Sequence, residues 1–156
     1  MGLQDNIYEE TVSDLSLRQL VTIKPTDTVR LACELMKAAR LGAAVAVDDA
    51  GHPIGMFNEK LLIRLLATTP QSMDDPVSDH MTTNVVTVKT TDSIARLINV
   101  MRERQYRWVC VIDPDGKAVS LTGLRGVMEY VVDHFPRSVK VQPINSNLSI
   151  EEREGA

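Results

Sequence analysis

The chain has 156 residues, 44% of them hydrophobic and 24% charged, with a formal net charge of −4. That balance suits an ordinary globular protein, either one compact domain or two small ones that share a core. It lacks the basic footprint of a nucleic-acid binder, and no apolar run approaches the roughly 18–20 residues needed to span a bilayer.

The first residues, Met1-Gly2-Leu3-Gln4-Asp5-Asn6, are polar and acidic, unlike a signal peptide. Residues 10–15 read as a short helical turn and 20–24 as a short strand. Pro25 then breaks the chain, and Thr26 or Asp27 is placed to cap a helix starting near Thr28. That helix carries Val29, Ala32, Cys33 and Met36 at spacings 0, 3, 4 and 7, the apolar face of an amphipathic helix. A continuous apolar run at 43–47 reads as a buried strand. Asp48-Asp49-Ala50-Gly51 is turn chemistry, a second strand spans 53–57, and a helix spans 59–67. Residues 68–76 form a linker.

The same order then repeats. Residues 12–66 read again as 77–131, shifted by 65 positions without a gap. Val12-Ser13-Asp14 becomes Val77-Ser78-Asp79, and the helix face becomes Ile94, Leu97, Ile98 and Met101. The buried strand becomes 108–112, the turn Asp113-Pro114-Asp115-Gly116, the hairpin strand 118–122 and the last helix 124–134. An internal repeat decides the fold before anything else does. Each unit is β-α-β-β-α and too small for a strong core of its own, so the halves are expected to fold as one body. The predicted organisation is a first repeat with its lead-in at 1–70, a second repeat at 71–135, and an extended tail at 136–156.

The order Val21-Thr22-x-Lys24-Pro25-x-Asp27-x-Val29, then Ala32-x-x-x-Met36, then Ala44-Val45-Ala46-Val47-Asp48-x-x-Gly51-x-x-Ile54-Gly55, with its second copy, resembles the CBS domain pair. The resemblance covers residues 10–134. It implies a mixed α/β (α+β) fold in which the two tandem repeats pack as a pseudo-two-fold disc, with two clefts between them. It also implies a regulatory module with no catalytic role. The implied ligands are adenosine compounds such as AMP, ADP, ATP or S-adenosylmethionine, and pairs of discs are expected to associate as a homodimer.

Nucleotide-binding members carry Gly-x-x-Thr-x-x-Asp after the second hairpin strand, where the carboxylate accepts hydrogen bonds from both ribose hydroxyls. Here Asn58 and Leu61 stand at the Thr and Asp places of the first repeat, and Gly123 and Gly126 at those of the second. Glu59 is two residues early and is expected to point elsewhere. A basic residue ahead of the first hairpin strand, suited to phosphate, occurs in the second repeat as Arg107, whereas the first has Gly42 and Ala43. The candidate ligand residues are therefore Thr22, Asn58, Thr87, Arg107, Thr122 and Arg125.

Plainer readings stand beside these. Thr22 and Thr87 suit a strand by propensity, and Asn58 suits a helix N-cap. Arg102, Arg104 and Arg107 suit a solvated helix C-terminus, and Trp108 suits the core. His52, His80 and His134 show no metal-ligand spacing. Cys33 and Cys110 lie at unrelated places in apolar segments, which fits buried thiols in a reducing, cytoplasmic setting. Two functions remain open: a sensor whose bound ligand signals to an unidentified partner protein, and a ligand-free dimerisation module whose tail (Val139, Val141 and Ile144) lies across a neighbouring subunit. No concentration of acids, bases or nucleophiles favours an enzyme, and no cofactor is expected.

Overall fold

The computed structural model describes residues 2–134. The tail expected at 136–156 lies outside the described residues. In chain order the elements are α1 (Leu3–Glu9), β1 (Thr22–Ile23), α2 (Val29–Ala39), β2 (Ala43–Val47), β3 (Pro53–Asn58), α3 (Glu59–Thr68), β4 (Thr87–Lys89), α4 (Ile94–Arg104), β5 (Trp108–Ile112), β6 (Ala118–Gly123) and α5 (Leu124–His134). Short 3-10 turns at Val12–Asp14, Pro70–Asp74 and Val77–Asp79 complete the chain.

Two three-stranded sheets form, ordered β1-β2-β3 and β4-β5-β6. β1 runs parallel to β2, with Thr22 opposite Val45, and β2 pairs antiparallel with β3. The second sheet repeats this, with Thr87 opposite Cys110. The central strands are apolar throughout because both of their faces are covered. Ala44 and Ala46 enter the core under the helices of the first repeat, and Val109 and Val111 that of the second. Ala43 and Val45 turn the other way and meet Cys110, Met56 and Leu121 in a third cluster between the two sheets. That period-2 alternation explains why neither run alternates with polar residues.

The halves are locked by an exchange of lead-in segments. Val12 and Leu15, at the start of the first repeat, pack in the core of the second, whereas Val77, at the start of the second, packs in the core of the first. Backbone bonds hold both: Val12 N–H donates to Asp92 O at 2.8 Å, and Val77 N–H donates to Asp27 O at 2.7 Å. The sheet edges are shared likewise. Arg18 N–H donates to Leu121 O on β6 at 2.8 Å, and Thr82 exchanges two bonds with Met56 on β3 at 2.9 and 3.0 Å. The halves therefore fold as one body, as their small size demands.

Local chemistry sets the boundaries. The hydroxyls of Thr28 and Ser93 cap α2 and α4, accepting from Leu31 N–H at 3.1 Å and Arg96 N–H at 3.2 Å. This corrects the expected caps, Thr26 or Asp27: Asp27 instead accepts from Lys24 N–H at 2.7 Å and closes the preceding turn. Both hairpin turns use an Asp that accepts two amides and a Gly at positive φ, 90° at Gly51 and 84° at Gly116. Residues 3–9, expected as an irregular polar start, instead form α1. A seven-residue helix is marginal alone, and Ile7 anchors this one against the core of the second repeat.

Candidate functional site

One groove of about 480 Å³ lies where the two repeats meet. The C-terminal end of α2 brings Arg40 to it, and the start of β2 brings Gly42. The first turn of α3 contributes Glu59. From the second repeat come Arg107 and Trp108 at the start of β5, and Gly123, Leu124, Arg125 and Gly126 where β6 passes into α5. Arg18, on the exchanged lead-in, closes one side. The described lining residues include four arginines and one acid.

Each charge has a local cause. Arg40 stands at the C-cap of α2 in the left-handed conformation, φ 55°, which turns the chain toward β2. Glu59 does not point elsewhere, as the sequence suggested. Its carboxylate lies over Gly42, where an added Cβ would come within 2.5 Å of Glu59 Cδ. Arg107 is exposed, and its carbonyl oxygen lies 2.5 Å from where a Cβ on Gly123 would stand. Position 123 therefore admits only glycine, and α5 begins without the side-chain cap that Asn58 gives α3. Its first amides lack an intrahelical partner and carry the positive end of the helix dipole.

A shared acid holds two of the arginines. Arg18 Nη2 donates to both carboxylate oxygens of Glu129 at 2.7 Å, and Arg125 Nε donates to Glu129 Oε1 at 3.1 Å. The bond from Arg18, and then that from Arg125, keeps the Glu129 carboxyl below the usual carboxylate range.

Of the six candidate residues, the groove brings together Arg107 and Arg125. Asn58 caps α3, its Oδ1 accepting from Leu61 N–H at 3.0 Å, which is a structural role. Thr122 is fully buried beneath the groove floor, with its hydroxyl 3.2 Å from where a Gly126 Cβ would stand and without a hydrogen-bond partner. Thr22 is exposed and Thr87 half-buried on their strands, and neither lines the groove. Trp108 packs against the cluster between the sheets and also lines the groove. Arg18 and Arg40 escaped the sequence reading, and Glu59 was expected to point elsewhere.

Other chemistry is sparse. Burial pushes the Cys110 thiol up to about 12, which leaves it inert as a nucleophile near neutral pH. Among the described residues no group of three or more His, Cys, Asp or Glu is placed to hold a metal ion. Nor is any of their helices long and apolar enough to cross a membrane.

A family model for the CBS domain matches twice, at residues 12–68 and 77–133, more than two thirds of the chain. The chain belongs to the CBS-domain family. The 65-residue shift between the two CBS matches is the one read from the sequence. An uncharacterized protein of Acidianus ambivalens is 24% identical over 122 residues, covering 78% of this chain and 73% of its own. Curated relatives can be much longer: the chain spans 61% of one from Methanopyrus kandleri and 34% of one from Methanocaldococcus jannaschii. A CBS domain protein from Pyrobaculum aerophilum, solved in complex with AMP, shares the fold with TM-score 0.70 and 23% identity, over 79% of this chain and 99% of that one. A CBS domain pair solved with 5′-methylthioadenosine and S-adenosyl-L-methionine shares it with TM-score 0.72 and 16% identity, over 80% and 97%.

Proposed function

We propose that this CBS pair is a regulatory module that binds a small anionic ligand, an adenosine nucleotide held by its phosphates, in the groove between its repeats. The observation that carries this reading is the convergence of Arg18, Arg40, Arg107 and Arg125 on one cavity opposed only by Glu59 among the described lining residues. Arginine forks suit phosphate oxygens, and the uncapped start of α5 adds backbone donors. The AMP and S-adenosyl-L-methionine complexes of the structural neighbours support the ligand class. A ligand touching both repeats favours one of their relative arrangements, and that population shift alters a surface read by a partner protein.

The exposed apolar residues Ile63 and Leu66 on α3, and Met128 and Val132 on α5, support a homodimer. The unpaired thiols Cys33 and Cys110 fit a reducing, cytoplasmic setting. A ligand-free docking module is the second reading. It is favoured by Leu61 and Gly126, which stand where the family's ribose-binding carboxylates would be.

Trp108 is the chain's sole tryptophan and lines the groove, so its fluorescence reports occupancy directly. Titration and calorimetry with AMP, ADP, ATP and S-adenosylmethionine are expected to show saturable binding that tightens with phosphate number. Arg107→Gln should weaken it roughly tenfold or more, since a hydrogen bond to a charged group contributes about 1.5–3 kcal/mol. No heat and no fluorescence change with any of them overturns this reading and leaves the docking module.

A further inference from the structure

Beside the cationic groove lies a second cavity of about 400 Å³. Ile98 and Met101 on α4, Tyr106 after it, and Leu124 and Val127 on α5 give it an apolar wall, and Arg102 and Gln105 line it as well. Arg107 and Leu124 line both cavities, so the two meet at those residues. We propose that the joined cavity takes an amphipathic organic anion. Its phosphate or carboxylate head lies with Arg107, Arg125 and the first amides of α5, and its aliphatic or aromatic body lies along the apolar wall. This rests on the anion-binding reading above and specifies the rest of the ligand.

Two observations favour an apolar body on that head. Leu124 stands 54% exposed in the first turn of α5, beside Arg107, where the first repeat has the acid Glu59. Ile98, Met101, Tyr106 and Val127 pack on the core of the second repeat yet stay only half-buried, so apolar surface remains available to a ligand.

The test is a homologous series. The full chain is titrated with inorganic phosphate and with ethyl, butyl, hexyl and octyl phosphate below their micelle concentrations, using Trp108 fluorescence and calorimetry, with octanol as the uncharged control. Affinity is expected to rise with chain length, approaching fourfold per methylene while the chain stays on the apolar wall, the equivalent of about 0.8 kcal/mol each. Leu124→Gln, at an exposed position that should not disturb folding, flattens the series. Arg107→Gln weakens every member. A flat series in the unaltered chain, as a tail or second copy filling the apolar cavity would give, overturns the inference, and Arg107-dependent binding of AMP or phosphate then keeps the anion reading standing. Octanol binding as tightly as octyl phosphate also overturns it. No Arg107-dependent binding of any anion overturns both.

Discussion

Positions 42, 58 and 59 of the first repeat and 107, 123 and 124 of the second are the same three places on one scaffold. The first set is Gly, Asn and Glu; the second is Arg, Gly and Leu. In the first, the Glu59 carboxylate lies over Gly42, and Asn58 caps the helix. In the second, the Arg107 carbonyl presses on Gly123, which excludes a capping side chain, and Leu124 removes the acid. The three changes are coupled because the fold makes these positions neighbours. Together they convert an acidic, capped helix start into a cationic, uncapped one. Duplication provided two equivalent helix starts, and local contacts left one acidic and capped and the other cationic and uncapped.

The sharpest contrast in stability lies one position earlier. Phe57 is fully buried in the core of the first repeat, and its counterpart Thr122 is as deeply buried but leaves its hydroxyl unpaired. Phe57→Ala should cost about 3–5 kcal/mol in urea denaturation, through lost transfer energy and the cavity left behind. Thr122→Val keeps the shape and deletes an unpaired polar group, so stability should hold or rise by up to about 1 kcal/mol. A clear loss in Thr122→Val would show that the hydroxyl has a partner, such as a buried water, and that the two positions are less different than they look.

The caps provide a smaller pair, one cap removed and one added. Asn58→Ala should cost about 1 kcal/mol by deleting the bond to Leu61 N–H. Gly123→Asn adds the missing cap to α5, yet its Cβ would meet the Arg107 carbonyl at 2.5 Å. The expected outcome is a net loss of stability together with weaker anion binding in the Trp108 titration. If Gly123→Asn stabilises the protein, the backbone yields there and the asymmetry of the two helix starts is a matter of side chains alone.

These contrasts also show what the amino-acid order could reveal. The duplication, both helix faces, the Asp-x-x-Gly turns, the hairpins and the Asn58 cap were legible because each depends on neighbours within a few residues. Setting one repeat against the other also singled out Arg107. The exchange of Val12 and Val77 between cores was not legible, since no local pattern records which distant core a lone valine enters. Helix α1 was missed for the same reason: most of its residues suggest a polar lead, and only tertiary contact at Ile7 makes it a helix. Glu59 was misplaced because spacing along a helix fixes its face but not what that face meets. Arg18 and Arg40 were missed because neither stands at a position the motif names, and nothing local records that they meet the second repeat.

The smallest effect expected is one of pH, and it too separates the repeats. Glu129 binds Arg18 and Arg125, whereas the shift of 65 puts Thr83 and Arg64 at the places of Arg18 and Glu129 in the other half, so no such pair forms there. The folded-state carboxyl of Glu129 is held below its ordinary value of 4.5, first by the bond from Arg18. Its contribution to stability is therefore fully present above pH 4.5 and is lost as pH falls through the lower, folded-state value. Side-chain exposures of 29% and 36% let solvent screen the pair, so the effect is modest. Glu129→Gln should lower Tm slightly and by a constant amount between pH 6 and 8, and the gap to the unaltered chain should close below pH 4.5. It should also raise anion affinity at pH 7, because Arg18 and Arg125 are then released toward the groove. A Tm gap that persists at pH 3 would assign the loss to packing rather than charge, and an unchanged affinity would remove Arg18 from the cationic set.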